Sequence, residues 1–264
     1  MKKLLITGTK VIIFFVGWAV LAGLLPIPDF QNGAVWRFWA ELIPFLCIVG
    51  FTLIFWLIEK RKIEMHIISK LFRNVCIGFG AGVIWLGVTI VILAGLGVMR
   101  ITATNTVPML WLWIVSAFIN TIMQELLVRG YLYQMIKHNY NVVAAMIVTT
   151  ALFTFMHGGV FEAGIVPILN VVTMSILMTT VLEYTQSLIA PVIMHFIWNC
   201  VGGIILGGVS LADDYPHLFT MVFTGNTLLS GGTPKMEGSI VVLVINIILT
   251  LLFSLLLKKK RKTE

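Results

Sequence analysis

Residues 120–133 read Asn-Thr-Ile-Met-Gln-Glu-Leu-Leu-Val-Arg-Gly-Tyr-Leu-Tyr, and this stretch decides how the chain is read. It lies inside an apolar segment from about Met109 to Ile136, which is long enough to cross a bilayer as a helix. A carboxylate and a guanidinium inside such a helix are expensive, so they mark a site by default. Glu125 and Arg129 are four residues apart, share a helix face and can pair as a structural ion pair. Gln124 lies about 100° round the helix from Glu125. One polar face therefore satisfies itself, and the other needs partners from elsewhere.

The composition around this stretch is that of a polytopic membrane protein. Mean hydropathy is +1.02. Hydrophobic residues make up 59% and charged residues 11%, about half the charged share of a soluble domain. The net charge of +7 does not point to nucleic acid. The basic residues gather at the ends of apolar segments, as in cytoplasmic loops. Cys47, Cys76 and Cys200 each fall in an apolar run, without metal-site or disulfide spacing, and read as packing residues.

Eight apolar segments follow one another: 11–25 (as an uncleaved helix starting near Leu4 or Leu5), 39–58, 75–99, 109–136, 142–156, 165–181, 188–206 and 239–257. A basic start with a short apolar core also fits a signal peptide. The fold class is all-α, with about eight transmembrane helices in one integral-membrane domain spanning residues 1–264. Gly78, Gly80, Gly82 and Gly87 in the third segment permit close helix packing. Arg100 to Pro108 reads as a polar turn. The stretch from Gly207 to Glu237, with Asp213 and Asp214, reads as a mixed connection.

An even number of spans puts both termini on one side. Assigned to the cytoplasm, that side carries fourteen of the 18 Lys and Arg, the other side three, and Arg129 lies within the membrane. This bias sets the orientation.

Two further stretches carry polar residues at membrane depth. In Phe153-Thr-Phe-Met-His157 the histidine closes an apolar helix, with Phe153 one turn before it. In Pro191-Val-Ile-Met-His195-Phe-Ile-Trp-Asn199 the spacing of four puts His195 and Asn199 on one face. Taken singly, a helix-end histidine is an interfacial residue and a His/Asn pair is interhelical glue, worth about 0.6 kcal/mol per bond. Taken together, Gln124, Glu125, Arg129, His157, His195 and Asn199 exceed what packing three helices requires, and a wet interior chamber is the better reading. One difficulty is depth. His157 lies about 22 Å along its segment and His195 only about 10 Å along its own. Tilting, or a break at Gly158-Gly159, is needed to bring them level.

These three stretches resemble the CAAX-processing and bacteriocin-processing (CPBP, or Abi) intramembrane proteases. That family carries Glu-Glu-x-x-x-Arg, then Phe-x-x-x-His, then His-x-x-x-Asn. The matching residues here are Gln124 to Arg129, Phe153 to His157 and His195 to Asn199. Arg129-Gly-Tyr-Leu132, Gln186 to Pro191, and Ser230-Gly-Gly232 through Glu237-Gly-Ser239 add to the likeness, which covers about 109–257.

The resemblance implies an endopeptidase. The first motif glutamate and the first histidine, His157, activate a water, while His195 and Asn199 stabilise the oxyanion. A carboxylate with an imidazole can take a proton from water, and two donors can cradle a developing negative charge in a dry site. The mechanism favoured is glutamate-type and metal-independent, without a cofactor. A divalent metal at the histidines stays open, since two imidazoles and a carboxylate do not decide it. Expected partners are the lipid bilayer and a peptide or small membrane-protein substrate, such as a leader peptide. Nucleic acid is not expected, and the sequence sets no oligomeric state. The expected location is the cell membrane of a bacterium.

The sequence departs from the family at its first motif residue, which is Gln124. An amide is no general base. Three explanations stand: a natural pseudoprotease, an engineered Glu→Gln change, or Glu125 acting as base at the expense of Arg129. The third conflicts with the direction of Glu125. Two further functions compete with proteolysis. One is a non-catalytic membrane protein, acting in bacteriocin self-immunity or as a regulator of a membrane partner. The other is a transporter, against which stands the absence of an evident repeat.

Overall fold

The computed structural model describes residues 1–209 and 215–263. Asp213 and Asp214 lie outside the described residues. Each of the eight apolar segments is helical. Six helices are long and apolar enough to span a membrane: Lys2–Leu24, Gly33–Ile58, Leu71–Gly95, Leu110–Asn139, Ile165–Thr185 and Ile240–Thr263. Val142–Met156 and Ile189–Ile205 are shorter apolar helices. The protein is thus an all-α, multi-pass membrane protein. The chain forms two compact units, the first from Met1–Ile67 with Met109–Thr149, the second from Ile68–Pro108 with Thr150–Glu264.

In the first unit, α1 (Lys2–Leu24) packs on α2 (Gly33–Ile58), and α2 packs on α4 (Leu110–Glu125). Asn32 caps α2 by accepting from the Ala34 and Val35 N–H groups at 3.0 and 3.3 Å, which satisfies two of its free donors. The helix begins well before the expected Trp39, so Arg37 belongs to it rather than to an outer loop. The indole N–H of Trp18 donates to the Pro44 carbonyl at 2.9 Å, tying α1 to the proline inside α2. Phe14, Phe55 and Tyr131 form a ring cluster with centroids 5.1–5.3 Å apart. The Tyr131 hydroxyl donates to Glu59 at 3.1 Å, and Lys10 pairs with the same carboxylate. Past α4 the helix winds in π form over Leu126–Leu132 and resumes as α5 (Tyr133–Asn139).

In the second unit, α3 (Leu71–Gly95) lies close against α9 (Ile189–Ile197). A Cβ at Gly78 would come within 2.6 Å of the Ala190 carbonyl oxygen, and one at Gly82 within 2.8 Å of Ile197. Gly80 and Gly87 face open space, so only half of the expected glycine face serves packing. The third apolar segment ends at Gly95. After it, 99–104 is not a turn but strand β1 (Met99–Thr104), paired antiparallel with β2 (Phe219–Phe223). Two such strands, set in a chain of long helices and separated by more than a hundred residues, give no periodic signal strong enough to read.

Helix α8 (Ile165–Thr185) packs along α11 (Ile240–Thr263). Asn170 Nδ2 donates to the Glu237 and Ser239 carbonyls at 2.8 and 3.0 Å, and Asn246 Nδ2 to Thr173 Oγ1 at 3.0 Å. The Asn170 bonds fasten the loop before α11 to α8, and the Asn246 bond ties α11 itself to α8. Trp85 of α3 stacks on Trp198 at 4.2 Å. Cys47 and Cys200 are buried, whereas Cys76 is exposed on α3 and is not a packing residue.

Candidate functional site

Gln124, Glu125 and Arg129 belong to the first unit, and His157, His195 and Asn199 to the second. Glu125 ends α4, and Arg129 sits in the π-wound stretch that follows. Arg129 Nη1 donates to both Glu125 oxygens at 2.8 and 2.9 Å. Both side chains are fully enclosed, at 0 and 1% exposure. A carboxylate so held is committed to its guanidinium, because withdrawing it would strand a buried charge. Using Glu125 as a base would carry that cost. Gly130 departs from helical geometry inside the π-wound stretch (φ −73°, ψ −113°), and π-wound turns recur at functional sites.

Gln124 faces a different set of groups. Its Nε2 donates to Asn120 Oδ1 at 2.7 Å. Asn120 Nδ2 in turn donates to Glu41 Oε2 at 2.6 Å, and Arg37 Nε lies 2.8 Å from Glu41 Oε1. Glu41 and Asn120 were not singled out from sequence. The available signal was the four-residue spacing of Arg37 and Glu41 at the start of an apolar segment, the same pattern that singled out Glu125 and Arg129.

Helix α6 (Val142–Met156), whose residues from Thr150 onward belong to the second unit, stops one residue short of His157. The Gly158-Gly159 turn follows, with the Val160 N–H donating back to the His157 carbonyl at 2.8 Å, and the chain restarts in α7 (Val160–Ala163). The ring nitrogen Nδ1 of His157 is 2.8 Å from the Phe153 carbonyl. A carbonyl only accepts, so Nδ1 carries the proton and Nε2 is the basic nitrogen. The Phe153 ring lies 4.4 Å from the His157 ring and 5.8 Å, edge-on, from the His195 ring. One buried phenyl thus stands against both imidazoles. His195 is buried on α9, while His157 is half-buried.

Asn199 is half-buried and lies not in the α-helix of His195 but in its π-wound continuation, Trp198–Ile205. The α-helical spacing rule therefore does not by itself align Asn199 with His195. Among the described residues, no group of three or more His, Cys, Asp or Glu side chains is assembled as for a metal ion.

Residues 106–201 match the family model described as type II CAAX prenyl endopeptidase Rce1-like. That span holds all seven residues of the three motifs, so the motif-bearing part of the chain is similar to the CAAX-protease (CPBP) family. In general terms this likeness supports a CAAX-type intramembrane protease. No curated protein and no solved structure matches the chain.

Proposed function

We propose that the chain is a multi-pass intramembrane endopeptidase of this type, with both termini cytoplasmic in a bacterial cell membrane, and that it is crippled at Gln124. The substrates are leader peptides or small membrane proteins. His157 supplies a basic nitrogen at Nε2 to take a proton from water. His195 and Asn199 donate to the oxygen of the tetrahedral intermediate. The observation that carries this reading is the pair of imidazoles held against Phe153, one of them with its tautomer fixed by a backbone carbonyl. The missing part is the carboxylate at position 124, whose place is taken by an amide that cannot accept a proton from water.

A second reading is favoured by that same amide. A chain without the base can still hold a peptide backbone through His195 and Asn199, as a non-catalytic regulator or in bacteriocin self-immunity. The two readings separate in proteoliposomes carrying a fluorogenic hydrophobic peptide. On the first, the chain as it stands cleaves at background, Gln124→Glu cleaves measurably, and His157→Ala in that background abolishes the gain. Peptide binding with no cleavage in either Gln124 form supports the second.

A further inference from the structure

We infer that Glu41 is a positioning residue for Gln124: the chain Arg37–Glu41–Asn120–Gln124 fixes the hydrogen-bond polarity at position 124, holding a neutral amide there with its oxygen turned away from the chain. The argument starts at the buried carboxylate. Glu41, whose Oε1 lies 2.8 Å from Arg37 Nε, takes the acceptor role through both of its oxygens. Asn120 must therefore present its NH2 end to Glu41, as it does at 2.6 Å. An amide has a donor end and an acceptor end, so Oδ1 of Asn120 is left facing Gln124. Gln124 answers with its own NH2 at 2.7 Å. The nitrogen and oxygen of both amides are thus set by the carboxylate, not by their shape. The polarity ends on Oε1 of Gln124, which is buried and has no protein partner among the described residues.

A carboxylate at position 124 breaks this order. Its lone pairs would meet Oδ1 of Asn120. Turning Asn120 over would only move the conflict, placing its oxygen against Glu41. In a low-dielectric interior either meeting is costly. Position 124 is therefore keyed to an amide by a residue far from it in sequence. This deepens the reading of position 124 given above, but its main readout does not depend on proteolysis.

The test is the thermal midpoint of purified full-length chains in detergent: wild type, Glu41→Gln, Gln124→Glu, and the double variant. Glu41→Gln is isosteric. In the wild type it lowers the midpoint, because Arg37 loses its anion. Gln124→Glu lowers it by a few degrees. In the Gln124→Glu background the effect of Glu41→Gln changes sign and raises the midpoint, since Asn120 can then turn over and donate to the new carboxylate. The same sign change is read from the yield of monodisperse protein where Gln124→Glu folds poorly. In a Gln124→Met background, which removes polarity without adding charge, Glu41→Gln still lowers the midpoint. A fall of similar size in all three backgrounds overturns the inference, as does a Gln124→Glu chain as stable as wild type. On the proteolytic reading the double variant also cleaves faster than Gln124→Glu alone. The sign change without any cleavage sustains the inference and sinks that reading.

Discussion

The motif residues of the two units meet the cost of polarity inside a membrane in opposite ways. In the first unit Glu125 and Arg129 close on each other completely, with two bonds of 2.8 and 2.9 Å and almost no exposure. In the second, His157 and His195 stand against a phenyl ring, and His157 keeps part of its surface open. A pair that satisfies itself is suited to holding helices together. On the function proposed above, imidazoles on an apolar ring, one with its proton fixed by a backbone carbonyl, exchange protons with water and substrate. The difference teaches that charge alone does not mark chemistry in a membrane helix; the kind of neighbour that holds the group matters as well.

The sharpest way to break this comparison is to remove one partner of the closed pair. Glu125→Ala leaves a buried guanidinium without its anion and costs about 3–5 kcal/mol, read as loss of folded protein or a collapsed thermal midpoint. By contrast His157→Ala removes the bond to the Phe153 carbonyl at a half-buried position and costs about 1 kcal/mol. Equal losses would erase the distinction between the two regions. Next in size is the helix contact that carries His195. Gly78→Val drives a side chain into the Ala190 backbone and costs about 1–3 kcal/mol, while Gly80→Val, facing open space, stays within about 0.5 kcal/mol. Asn246→Leu removes the bond to Thr173 and a second, at 3.3 Å, to the Asn170 carbonyl, for about 1 kcal/mol at 0.6 per bond. The smallest effect falls in the first unit. Tyr131→Phe removes the bond to Glu59 while keeping the aromatic cluster, and costs about 0.5–1 kcal/mol.

Much of this molecule was legible in the sequence because bilayer physics writes it there. The apolar segments and the Glu125–Arg129 spacing follow from length and period, and the three ordered motifs from their resemblance to the CPBP family. What was not legible depends on partners distant in the chain. The β1–β2 pair joins strands separated by more than a hundred residues. Glu41 and Asn120 are neighbours only because α2 packs on α4. The π-wound stretches after Glu125 and around Asn199 are invisible to a rule that assumes 3.6 residues per turn. The placement of both imidazoles on Phe153 was hidden for a related reason. Distances counted along two separate helices say nothing of the side chain that bridges them.

The central claim is that His157 and His195 serve one hydrolytic reaction. It is tested most directly by the cleavage rate of a hydrophobic peptide in proteoliposomes, in the Gln124→Glu background, with His157→Ala, His195→Ala and both together. Removing either imidazole is expected to lower the rate by about 10²-fold or more. Removing both is expected to cost little more than removing one, because groups that act as a unit are not additive. Cleavage that survives either single substitution, or losses that multiply in the double variant, would contradict the account.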